Sequence, residues 1–103
     1  MYMAKKRIRP WNKAETATAS RIAKRYAGVV NRFASPDIRT AEMFVEVETE
    51  ATLRSGLEKL KQYSGRAYLA VTNQEALPTA LRLVTNTSSG VMDSKGNIVK
   101  EAT

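Results

Sequence analysis

The segment Val45-Glu46-Val47-Glu48, eight residues beyond the Asp37 of Pro36-Asp37-Ile38, restricts this chain more than any other feature. Successive side chains on a strand point to opposite faces, so Val45 and Val47 share one face and Glu46 and Glu48 the other. The valine side calls for a core, and the acidic side is costly to bury unless something positive neutralises it. With Asp37 at the end of the preceding short extended run, three carboxylates are placed where a divalent cation can be held. Hard oxygen ligands suit Mg²⁺ or Mn²⁺, which takes one or two carboxylates, keeps several waters and leaves positions open for phosphate oxygens. The plainer alternative is that Glu-x-Glu marks the solvated face of an antiparallel sheet.

Composition narrows the chemistry. The chain has neither Cys nor His, which removes thiol nucleophiles, Cys/His zinc sites, Ser-His-Asp triads and imidazole bases. Any hydrolysis must then rest on carboxylates, lysines and a metal. A cysteine-free chain uses no disulfides, so an intracellular, cytoplasmic location is expected. No apolar run approaches the roughly 20 residues of a membrane span, and the basic start leads into no apolar stretch, so neither membrane insertion nor secretion is expected. A length of 103 residues suits one domain with a single core.

The net charge of +7 is concentrated at one end. Residues 1–32 hold nine Lys and Arg against Glu15 alone, whereas the remainder holds eight cations and nine acids. Within this excess, Lys5, Lys6, Arg7, Arg9 and Lys13 surround Trp11, a mixture suited to neutralising phosphates and stacking on an exposed base. Residues 1–12 read as a basic arm that contacts nucleic acid, or as a solubilising tail. Residues 13–103 read as the single folded domain.

Periodicity gives an alternating order of elements. A helix is expected from Asn12 or Lys13 to Phe33, with Ile22, Tyr26, Val29, Val30 and Phe33 on its inward stripe, weakened but not broken by Gly28. Ser35-Pro36 ends it. Short strands follow at 37–39 and 43–49, then a helix over 51–63 that buries Leu53, Leu57, Leu60 and Tyr63. The nearly apolar run Arg66–Thr72 reads as a central strand covered on both faces. Residues 75–84 look helical with Pro78 in the first turn, and 90–100 form a hairpin. A strand, helix and strand over 43–72 imply a parallel crossover, hence an α/β class with a mixed central β-sheet flanked by helices.

A helix, Pro-Asp-Ile, an apolar-Glu-x-acid strand, the helix LRSGLEKLKQY and the strand RAYLAVTN, in that order, resemble the core of the PD-(D/E)xK nuclease superfamily. That superfamily includes restriction endonucleases and archaeal Holliday-junction resolvases. The resemblance covers roughly residues 13–73, and GVMDSKGNIVK is similar to a closing hairpin of some members. It implies a restriction-endonuclease-like fold, with Asp37 and Glu46 as metal ligands and the carbonyl of Val47 as a third. Glu15, near the inward stripe of the first helix, is a candidate fourth acidic member, or simply a helix N-terminal charge that complements the dipole.

One position departs from that pattern, because the family's lysine is replaced by Glu48. A carboxylate cannot steady developing negative charge as a lysine does. Glu48 acts as base or ligand, or Lys59 or Lys61 reaches in from the following helix, or catalysis has been lost. The expectation is a Mg²⁺- or Mn²⁺-dependent DNA endonuclease, working as a homodimer, with Asp37, Glu46, Glu48 and Glu15 at the site. The alternative is a degenerate member that only binds nucleic acid.

Overall fold

A computed structural model of the chain describes residues 10–31 and 33–103. Helix α1 (Lys13–Tyr26) begins at a reciprocal cap: the Asn12 side chain accepts from the Glu15 N–H at 2.8 Å, and the Glu15 carboxylate accepts from the Asn12 N–H at 3.0 Å. Two otherwise orphaned donors of the first turn are thereby satisfied. The helix stops seven residues short of the expected Phe33. Ala27 takes a left-handed conformation at φ 54°, and Val29–Val30 become strand β1. Gly28 shows why. A Cβ there would meet Ile38 Cγ2 at 2.8 Å, so the bare backbone lets the chain turn close against strand β2 (Ile38–Arg39). Val30 packs on the core, while Val29 and Phe33 are 72% and 80% exposed rather than part of a helical stripe.

Strand β3 (Met43–Glu48) is followed by a 3-10 turn at Glu50–Thr52 and helix α2 (Leu53–Leu60), then strand β4 (Arg66–Val71). A second 3-10 turn at Gln74–Ala76 leads into helix α3 (Leu77–Val84), which accepts its proline in the first turn. Strands β5 (Gly90–Met92) and β6 (Ile98–Lys100) pair antiparallel as the closing hairpin. The six strands lie side by side in chain order. The β3–β4 and β4–β5 pairs are parallel and the others antiparallel, so the sheet is mixed.

Helices cover both faces. On one side α1 places Ala19, Ile22 and Ala23 against Ile38, Val45, Val47 and Tyr68. On the other, Leu53, Leu57 and Leu60 of α2 and Ala80 and Val84 of α3 pack on Ala67, Leu69 and Val71. The two parallel crossovers share a face, as same-handed crossovers between successive neighbouring strands must. With a helix layer on either side, β4 is buried from Ala67 to Val71, which is why its sequence is apolar without alternation. The α1 cations are partly committed to the fold: Arg21 donates to Ser94 O, and Arg25 to Lys95 O and Asn97 Oδ1, fastening the β5–β6 turn. Among the described residues no helix is long and apolar enough to cross a membrane.

Candidate metal centre

Because Val45 and Val47 are committed to the α1 side, Glu46 and Glu48 face the α2 side, as period-two alternation requires. Asp37 immediately precedes β2, whose Ile38 pairs with Val45, so its carboxylate comes alongside Glu46. One carboxylate oxygen from each of Asp37, Glu46 and Glu48 lies within 4.8 Å of the others, and the residues are only 2%, 0% and 4% exposed. The acidic face of β3 is therefore an interior one, not the solvated sheet face that the sequence also allowed. The group sits at the C-terminal end of β3, the end of a parallel strand where α/β sheets place their ligands.

Each acid has a distinct setting. The Val47 N–H donates to Asp37 Oδ2 at 2.7 Å, which is the contact the structure gives Val47 in this group. The Ser35 hydroxyl donates to Glu46 Oε2 and stands 2.5 Å from the Tyr63 hydroxyl, whose ring is stacked on Phe44 with centroids 4.6 Å apart. Glu46 Oε1 is buried with no hydrogen-bond partner among the described residues. Burial pushes the Glu46 carboxyl up to about 9, and the adjacent Asp37 carboxylate adds to the rise against the lowering effect of Ser35. Burial likewise lifts Glu48 to about 7, opposed by the Thr52 hydroxyl and the Lys59 ammonium.

Three buried acids side by side are costly to ionise together: Glu46 keeps its proton and shares it with Asp37 unless a positive charge takes the proton's place. One oxygen from each of the three could together hold a metal ion, and oxygen donors of this kind suit a hard cation. Lys59 Nζ lies 3.8 Å from Glu48 Oε2 and is largely shielded from solvent, whereas Lys61 pairs with Glu58 on the exposed side of the helix. Of the two lysines proposed from sequence, Lys59 is the one at the site. Glu15 is buried in its capping box and lies outside the three-acid group, though its charge contributes to raising Glu48. Trp11 is half-buried against the α1-side core and Lys13 is exposed at the start of α1. Lys5, Lys6, Arg7 and Arg9 lie outside the described residues.

Ser35, Tyr63 and Gly56 are site residues that sequence reasoning passed over. Ser35 had served only to end a helix and Tyr63 only to fill a core. Gly56, a helix-weakening residue within LRSGLEKL, was the readable signal. A Cβ on it would collide with Glu48 Cγ and stand 2.8 Å from Cδ and 2.9 Å from Oε2. Gly56→Ala should therefore displace the Glu48 carboxylate. Its helix-propensity gain of about 1 kcal/mol is offset by overpacking of about 1–3 kcal/mol. Calorimetry should show Mn²⁺ affinity reduced tenfold or more, because the displaced Glu48 carboxylate no longer adds its charge beside Asp37 and Glu46, with a loss of stability of at most about 2 kcal/mol; unchanged affinity would mean that Glu48 takes no part in metal binding.

The chain matches no family model, no curated protein and no solved structure.

Proposed function

We propose that this protein is a metal-dependent endonuclease acting on DNA, with a restriction-endonuclease-like core of the PD-(D/E)xK type. The observation that carries this reading is the buried convergence of Asp37, Glu46 and Glu48 at the end of β3. A pure nucleic-acid binder has no use for three acids that repel phosphate. The basic excess of residues 1–32 supplies the attraction that they lack.

Asp37 and Glu46 would hold the cation, each with one oxygen fixed by a donor from the protein, the Val47 N–H and the Ser35 hydroxyl. Mg²⁺ or Mn²⁺, when bound, supplies a water of lowered pKa and polarises the scissile phosphate. Glu48, whose carboxyl burial lifts above the ordinary carboxylate range in the metal-free protein, would serve as the general base. Lys59, beside it, brings the positive charge that the family motif places two residues after Glu46.

The deciding measurement is cleavage of a panel of duplex, flap, junction and single-stranded DNA with Mg²⁺ and with Mn²⁺, comparing wild type with Asp37→Ala. Metal-dependent cleavage lost in the variant is the expected result. Binding without cleavage of any substrate, under either metal, would instead identify a degenerate member of the fold that retains only DNA affinity.

A further inference from the structure

Helix α2 covers the sheet over β3 and β4, and Tyr63 beyond it stacks on Phe44, while Val29 of β1 and Arg39 of β2 are exposed on the same face. One cross-strand row there runs Val29, Arg39, Phe44, each paired with the next in register. Ile38 and Val30 are held in the α1-side core, so Arg39 and Val29 emerge on the face that carries the carboxylates. Arg39 is exposed, its guanidinium lies 5.3 Å over the Phe44 ring, and among the described residues it has no acidic partner. Two residues along the strands, about 7 Å away, stand Asp37 and Glu46.

The loop that joins β1 to β2 leads into the same centre. The Asn31 side chain accepts from the N–H groups of Phe33 and Ala34 at 2.9 and 3.1 Å, and the Asn31 N–H donates to Asp37 O at 2.8 Å. It presents Phe33, 80% exposed, two residues before the Ser35 hydroxyl that holds Glu46. An exposed aromatic ring, an exposed guanidinium with no acidic partner among the described residues and a neighbouring group of acids have one shared complement: a phosphate chain with bases free to stack.

Resting on the nuclease reading, we infer that the exposed face of β1 and β2 is the track for an unpaired DNA strand, with Phe33 stacking a base and Arg39 binding the phosphate next to the one at the acidic centre. A ring at the surface takes a base only when that base has left its own stack, so it selects single-stranded DNA or an unpaired segment over continuous duplex. Arg39 contributes through the planar fork that a phosphate matches.

Metal-free protein is titrated with a single-stranded oligodeoxynucleotide carrying 2-aminopurine, and with the corresponding duplex, by anisotropy and fluorescence quenching. Phe33→Ala should weaken single-strand binding roughly 5- to 100-fold, the worth of one base–aromatic stack. It should also abolish the quenching and leave duplex binding unchanged, while Phe33→Trp retains both signals. Arg39→Ala should lower the salt dependence of single-strand binding by about 0.7 in slope. If wild type binds and cleaves DNA but Phe33→Ala matches it on single strands, the track is overturned and the nuclease reading stands. If wild type neither binds nor cleaves DNA, the nuclease reading fails and takes the track with it. If sedimentation shows that Phe33→Ala turns a dimer into a monomer without changing DNA affinity, the face is an interface between copies and the track is again overturned.

Discussion

Glu46→Gln should make the metal-free protein more stable at pH 8 while abolishing Mn²⁺ binding. The folded-state pKa of Glu46, about 9, lies above its ordinary 4.5. An unfolded chain therefore releases this proton from pH 4.5 upward, whereas the native state keeps it until about 9. Stability is fully present below 4.5 and drains away across that window as pH rises. Glutamine keeps the shape of the neutral acid and has no proton to lose, so the drain stops. The gain at pH 8 should be about 1–3 kcal/mol, a discounted share of the roughly 1.4 kcal/mol that each pH unit of the window carries, which corresponds to a melting temperature higher by roughly 5–20 °C for a domain of this size. At pH 4 the two proteins should melt together. A cation requires the ionised acid, so wild type should also bind Mn²⁺ more tightly as pH rises and release protons in doing so. Lower stability of Glu46→Gln at pH 8 would instead make Glu46 a structural anchor for Ser35.

The second large effect separates Glu48 from Lys59. With Glu48 as base, Glu48→Ala should lower kcat by about 10²–10⁴, while DNA affinity is equal or better because a carboxylate facing phosphate is gone. Lys59→Ala should lower kcat by about 10²–10³, the range for loss of one group that steadies transition-state charge. It should also shift the pH–rate profile upward on its basic-form limb, since the Lys59 charge holds Glu48 down. Glu48→Lys restores the usual family motif, and activity in that variant alone, with an inert wild type, would mark the natural chain as catalytically degenerate. Full activity in Glu48→Ala would move the proton-accepting role elsewhere.

The sequence carried those features that depend on local period and composition. Alternation placed Val45 and Val47 opposite Glu46 and Glu48, because a strand repeats every two residues wherever it lies. The unbroken apolar run of β4 required cover on both faces and received it from α1 on one side and α2 and α3 on the other. Absence of Cys and His limits the candidate side-chain ligands to carboxylates. The first helix shows the limit of the same reasoning. Val29 and Phe33 continue a helical stripe on paper, yet the chain turns at Ala27 because Gly28 must pass close to Ile38, a residue ten positions away that periodicity cannot see.

Tertiary structure alone decided what the acids are. Alternation says that Glu46 and Glu48 share a face, but burial depends on α2 lying over that face, and burial is what lifts their proton affinities. Only packing brought Ser35 to Glu46 from eleven residues away, and Tyr63 to Ser35 from twenty-eight. The choice of lysine has the same origin. Lys59 and Lys61 are two residues apart on one helix turn and so point in widely different directions. The leucines of α2, seated on β4, set the rotation of the helix, and that rotation turns Lys59 toward Glu48 and leaves Lys61 in solvent.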